Sequence, residues 1–295
     1  MSAETPNPPA PGNPDIPYPA GSPNRPSGPA RPPAHPPSSA PPARQPAAVM
    51  PQKIINNVPL VSVADPTGPS YRHTGKMRIP LGGKTYGGTG VLISIGGAYG
   101  IVTAAHNLYE KVVDGAIVLI NGIEFIPAYN AGGVTAPYGT ITLRREDMWV
   151  PNDYRPDRYT DGIENPRLYP YDYAAIRVAR ERIDERLLSG MPQLAEADPL
   201  LRAIQVTGFP VGEPGEYHGM YYGKGNITRT VPPNVWYYDA STEGGMSGSG
   251  VCAASDLTRI LGIHDGAVPG QEANHAVRMT TEAIAAIEAW ITHAD

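Results

Sequence analysis

The sequence predicts an all-β fold of barrel or sandwich type, with a disordered N-terminal tail and one C-terminal helix. Three observations carry this. Eighteen of the 35 prolines fall within residues 1–51. Residues 54–295 break into many short apolar runs separated by Gly, Pro and Asn. The last sixteen residues switch to a helical period.

The tail comes first. Residues 1–51 hold almost no aliphatic or aromatic side chains. Such a stretch cannot bury enough apolar surface to offset the entropy of ordering, so disorder with polyproline-II character is expected. The 242 residues from 54 onward suffice for one large β domain or two small ones. Runs at 88–94, 100–106, 116–120, 174–179, 203–209, 235–240, 249–254 and 259–264 read as strands. Many short strands divided by turn signals point to a barrel or sandwich. Residues 142–171 are polar, rich in Tyr and Pro, and read as a long loop. The charged stretch 180–190 reads as a helix stopped by Gly190. The second helix, 280–295, has Thr280 and Thr281 as caps and places Ile284, Ile287 and Ile291 on one face.

Charge and cysteine content exclude several classes. The net charge is −5, and residues 1–53 carry +2 of it, which leaves −7 on the remainder. A mildly acidic domain without a basic stripe argues against nucleic acid as a partner. No apolar run of about 18 residues exists to cross a membrane. The chain opens with no basic and apolar leader of the secretory kind. A single cysteine, Cys252, permits no internal disulfide, so packing alone must hold the core.

One stretch carries chemistry. In "STEGGMSGSG", Ser247 follows Gly245 by two and precedes Gly248. A serine hydroxyl is a poor nucleophile unless an imidazole takes its proton and a carboxylate orients that imidazole. His106 ends the apolar run "IVTAAH", and Asp172 precedes "YAAIRV". The chain order is therefore His106, Asp172, Ser247, at separations of 66 and 75 residues. Asp153, Asp157 and Asp161 compete for the acid's role, but Asp172 is the one followed by small and aliphatic residues that would bury it.

These motifs resemble the chymotrypsin-like serine peptidases, and within them the glutamyl endopeptidase branch of bacterial exoproteases. "GTGVLIS…VTAAH", "DYAAIRV", "VTGFPVGEPG", "YYDASTEGGMSGSGV" and "ILGIHDGAVPGQEANHAVRM" occur in the family's order, from about residue 54 to 292. The resemblance implies two packed six-stranded antiparallel β-barrels, at about 54–180 and 190–280, with a surface helix after them. It implies a serine endopeptidase acting through an acyl-enzyme, with the amides of Gly245 and Ser247 binding the oxyanion. Glycine at 245 can turn its N–H without a Cβ penalty. Such chemistry needs no metal or cofactor. The expected partners are protein or peptide substrates met by a monomer, and the resemblance favours secretion.

The resemblance further implies a cut after glutamate. The residues matching the family's carboxylate cradle are Thr242 and His264, a hydroxyl and an imidazole. Asp265 and Glu243 depart from the pattern. Asp265 could repel an acidic substrate or hold His264 protonated. Met246 and Gly250 also differ, but both positions are expected to act through backbone. Ile54 and Ile55 directly follow Lys53, as an apolar pair begins the family's mature enzymes. Cleavage there would release residues 1–53 and set the Ile54 amine, largely protonated near neutral pH, beside the pocket. A second class of function remains open at this point: an inactive peptidase-like binding protein recruited through PxxP spacings such as Pro33–Pro36.

Overall fold

The structure, a computed structural model, describes residues 45–46, 53–81, 83–111, 116–158, 162, 165–212 and 217–293. The Pro-rich segment through residue 44, with its PxxP spacings, lies outside the described residues, as do Asp161 and residues 47–52.

A seven-stranded antiparallel sheet forms the first half and curls into a nearly closed barrel. Its order is Met148–Trp149, Ala174–Arg177, Ala98–Thr103, Lys84–Ile95, Thr74–Leu81, Gly122–Pro127 and Ile141–Arg144. The expected count was six strands. The seventh comes from the stretch read as a long loop, whose residues 148–149 pair with Ala175 and Ile176. Strand Thr74–Leu81 shows why period-2 patterning works even when charged. Met77, Ile79 and Leu81 point inward, while Lys76, Arg78 and Pro80 face outward or lie half-buried. Gly75 lies under the Phe125 ring, and a Cβ there would come within 2.3 Å of it. The barrel interior holds Met77, Leu92, Ile101, Leu108, Phe125, Ile141, Leu143 and Ile176.

The second half is a closed six-stranded barrel. It runs Asp256–Ala267, Gly250–Ala253, Ala203–Gly208, Tyr221–Val231, Val235–Tyr238 and Asn274–Arg278, and closes where Ile263 pairs with Val277. Gln193–Leu194 adds a short parallel pairing to Arg259 and Ile260, the exception to the antiparallel pattern. Ile204, Val206, Trp236, Tyr238, Met246, Val251 and Leu261 fill this interior.

A third apolar cluster joins the halves. Val91, Val102 and Ala175 meet Ile260, Ile263 and Val277, and helix Thr281–Thr292 packs Ala283, Ile287 and Ile291 against them. Thr280 Oγ1 accepts from the Ala283 amide at 3.2 Å, the N-cap expected from sequence. The other expected helix does not form. Residues 180–190 make two 3₁₀ turns, Arg180–Arg182 and Glu185–Leu187. The Asp184 carboxylate accepts from the Arg186 amide and side chain, giving the backbone a local alternative to a helical ladder.

Candidate active site

The register of the first barrel brings His106 to Asp172. Thr103 pairs with Ala174 in an antiparallel ladder, so the residues just after 103 and just before 174 share one end of the sheet. The chain leaves Thr103 into a 3₁₀ turn, Ala105–Leu108, so His106 sits one step past the strand and not at its end. Asp172 follows the 3₁₀ turn Tyr169–Tyr171. The contact is two-pronged. His106 Nδ1 donates to Asp172 Oδ2 at 2.7 Å, and the His106 amide donates to Oδ1 at 2.9 Å. Asp172, and not Asp153 or Asp157, is the carboxylate bonded to this imidazole. Burial alone would lower His106, but the charge and hydrogen bond of Asp172, helped by the charge of Asp265, raise its pKa above the ordinary value.

Ser247 lies in the loop between two strands of the second barrel and is latched to the first. Its carbonyl accepts from the Thr89 amide and from Asn107 Nδ2, each at 2.9 Å, and Asn107 is the residue after His106. Ser247 Oγ donates to the Asp265 carbonyl at 3.3 Å. Thr89 Oγ1 donates to the Gly245 carbonyl at 2.9 Å and accepts from the Phe209 amide at 3.0 Å. Two glycines make this closeness feasible. Gly248 has φ +88°, and a Cβ on it would fall 2.1 Å from the Thr89 carbonyl oxygen. Gly245 has φ +91°, and its Cβ would fall 2.6 Å from the Phe209 carbonyl oxygen. Met246 was expected to act mainly through backbone. Its side chain is instead fully buried in the second barrel, which anchors the loop from below.

The other expected site residues cluster around the start of the domain. Thr242 is fully buried, and its amide donates to the Lys53 carbonyl at 3.1 Å. Asn274 Nδ2 donates to the same carbonyl at 2.9 Å. Thr242 Oγ1 and Asn274 Oδ1 are buried without hydrogen-bond partners. The Ile55 amide donates to Ser241 Oγ at 2.9 Å, and Lys53 Nζ pairs with Glu272. Ile54 is thus held between two anchored neighbours.

His264 is fully buried beneath this region. Its Nδ1 lies 2.6 Å from the Tyr238 hydroxyl and 3.1 Å from the His275 carbonyl. Burial pushes its pKa down to about 3, so the ring is neutral at physiological pH. The idea that Asp265 keeps His264 protonated is therefore overturned. Asp265 Oδ1 sits 2.5 Å from His275 Nδ1.

Thr89, Thr103, Asn107, Tyr238, Asn274 and His275 went unnoticed in the sequence. Several act across a long chain separation, as Asn107 does over 140 positions. Only Asn107, next to His106, carried any local hint. Among the described residues, no group of three or more His, Cys, Asp and Glu is placed to hold a metal.

Comparison with known proteins decides the architecture. No family model matches the chain, and no curated protein matches it in sequence. Solved structures do. A Glu endopeptidase superimposes with TM-score 0.64 at 20 % identity, covering 82 % of this chain and 100 % of its own. This is the chymotrypsin-like serine peptidase fold. The protease Anisep from Arthrobacter nicotinovorans follows with TM-score 0.57 at 18 % identity, covering 75 % of this chain and 96 % of its own. The thermostable serine protease AL20 from an extremophilic microorganism matches with TM-score 0.57 at 14 % identity, over 77 % and 100 %. All three are proteases, and the likeness shows the fold that this chain shares with them. No helix among the described residues is long and apolar enough to cross a membrane.

Proposed function

We propose that the chain is a serine endopeptidase in which His106, Asp172 and Ser247 form the catalytic triad. The observation that carries this reading is the two-pronged Asp172–His106 contact beside a serine loop latched to Asn107. With Nδ1 donating to Asp172, His106 presents Nε2 as the acceptor that draws the proton from Ser247 Oγ. The freed oxygen attacks the peptide carbonyl and forms a tetrahedral intermediate. The amides of Gly245 and Ser247 receive its oxyanion, a contribution of about 3 kcal/mol for each such donor. His106 then passes the proton to the leaving amine, and water repeats the sequence on the acyl-enzyme.

The preferred residue before the cut is glutamate. A neutral His264 and the unpartnered Thr242 hydroxyl supply a donor and a hydroxyl for a carboxylate without a fixed charge. Cleavage after Lys53 completes the site. The Ile54 ammonium would form where Thr242 Oγ1 and Asn274 Oδ1 stand without partners, two acceptors suited to it.

A peptide library cut by the trypsin-treated protein tests this reading. Glu before the cut should outrun Gln by roughly 10- to 100-fold, the worth of a charge-assisted hydrogen bond. Lys, Arg or an aromatic residue in that position would refute the glutamate assignment. An organophosphonate that fails to label Ser247 would refute the peptidase itself.

A further inference from the structure

We propose that Asp265 and His275 form a second buried carboxylate–imidazole pair that positions Ser247 and backs His106 during turnover. The proposal rests on the triad reading above. It assigns a role to two residues outside the triad and the carboxylate cradle.

Both side chains are 0 % exposed, and Asp265 Oδ1 lies 2.5 Å from His275 Nδ1. Neither carboxylate oxygen and neither ring nitrogen has a further hydrogen-bond partner. Each group is thus compensated by the other alone. A carboxylate buried this deeply is costly unless paired, and apolar residues of equal size would fill the space more favourably. The pair therefore calls for a role beyond packing.

Its surroundings supply one. On one side, the backbone of Asp265 accepts the Ser247 hydroxyl at 3.3 Å, so whatever holds Asp265 also holds the nucleophile's resting position. On the other side, the His275 ring stacks on Tyr169 with centroids 4.0 Å apart and planes 25° apart. The Tyr169 carbonyl accepts from the Asp172 amide at 3.3 Å. A course of contacts thus runs from Ser247 through Asp265, His275 and Tyr169 to Asp172, the carboxylate that bonds His106.

The charges follow the same course. The groups facing the pair are Asp172, His106, His264, Tyr154, Tyr169, Tyr237 and Tyr238. His264 is neutral, and burial holds Tyr154 and Tyr238 protonated. Only Asp172 and His106 remain as charged neighbours. Burial raises the Asp265 carboxyl, and the nearby Asp172 raises it further against the attraction of His275. When His106 becomes an imidazolium, two carboxylates face it, and Asp265 adds to what Asp172 provides.

The test is Asp265→Asn, which keeps the shape and removes the charge. The acid limb of kcat/KM should move to lower pH, kcat should fall about tenfold or more, and KM should change little. The double variant Asp265→Asn/His275→Gln should be no worse than the poorer single one, because the pair acts as a unit. An Asp265→Asn profile that overlays the unaltered protein's would overturn the inference. Activity surviving in Ser247→Ala would overturn the triad and this inference together. A Ser247-dependent enzyme indifferent to Asp265→Asn would overturn this inference alone.

Discussion

Asn107 Nδ2 donates to the Ser247 carbonyl at 2.9 Å and also reaches Thr103 Oγ1 at 3.1 Å. One amide thereby fixes the Ser247 loop to the turn that carries His106. Asn107→Ala should cost about 0.5–1.5 kcal/mol of stability, since the Thr89 amide still holds that carbonyl. For a domain of this size that is a few degrees in Tm. The effect on kcat should be larger than the effect on KM. Asn107→Asp should be worse than Ala, because an acceptor would then face an acceptor. Thermal unfolding beside steady-state kinetics checks both.

The proposed triad predicts a non-additive pattern. Ser247→Ala and His106→Ala should each remove nearly all turnover, and combining them should do little more. Asp172→Asn should preserve substrate binding and lower kcat by roughly ten-thousand-fold, because the wrong tautomer is favoured. Single-turnover assays on the three variants and the double variant measure this. Wild-type activity in Ser247→Ala would end the reading.

In the proposed triad, His106 sets the acid limb. Burial opposes its protonation, but Asp172 raises its pKa above the ordinary 6.5. The imidazole must be neutral to act as a base, so kcat/KM should rise with pH through a midpoint above that value. Residual activity in Asp172→Asn should have its midpoint at lower pH. Stability follows the opposite sign. A raised histidine contributes stability that is complete below about 6.5 and fades as pH climbs through the folded value. His264, lowered to about 3, does the reverse: its contribution is lost as pH falls from about 6.5 toward 3. Urea midpoints of His106→Gln and His264→Gln across pH 4 to 8 separate the two.

Processing at Lys53 should be visible as activation. The Lys53 side chain is 38 % exposed, while its carbonyl accepts from the Thr242 amide and Asn274 Nδ2. Trypsin treatment should raise activity as mass spectrometry shows the Ile54 terminus appear. Lys53→Gln should block that rise, and acetylating the new amine should reverse it. An Ile54 terminus without any change in rate would rule out a role for the amine.

Much of this architecture was legible in residues 54–295 because burial imposes a period on each strand. "IVTAAH" and "DYAAIRV" announce a buried strand pair, and the observed register joins them. Strands Thr74–Leu81 and Tyr221–Val231 were missed because Lys76, Arg78, Pro80, Lys224 and Arg229 interrupt the apolar count on their outer faces. The false helix at 180–190 arose from charged residues that favour helices in isolation, while Asp184 turned the backbone locally. In the site, His106, Asp172 and Ser247 stood out because each sits in a distinctive local motif. Thr89 and Asn107 did not, because a hydrogen bond between distant segments leaves no local signature.

The latch on Ser247 has a consequence for how the molecule fails. The serine is carried by one barrel and aimed by Thr89 and Asn107 of the other. Anything that loosens the seam disarms the chemistry while both sheets remain whole. Under mild denaturant, activity should vanish at concentrations where far-ultraviolet circular dichroism still reports native strands. A worn copy of this protein should therefore lose its site before it loses its sheets.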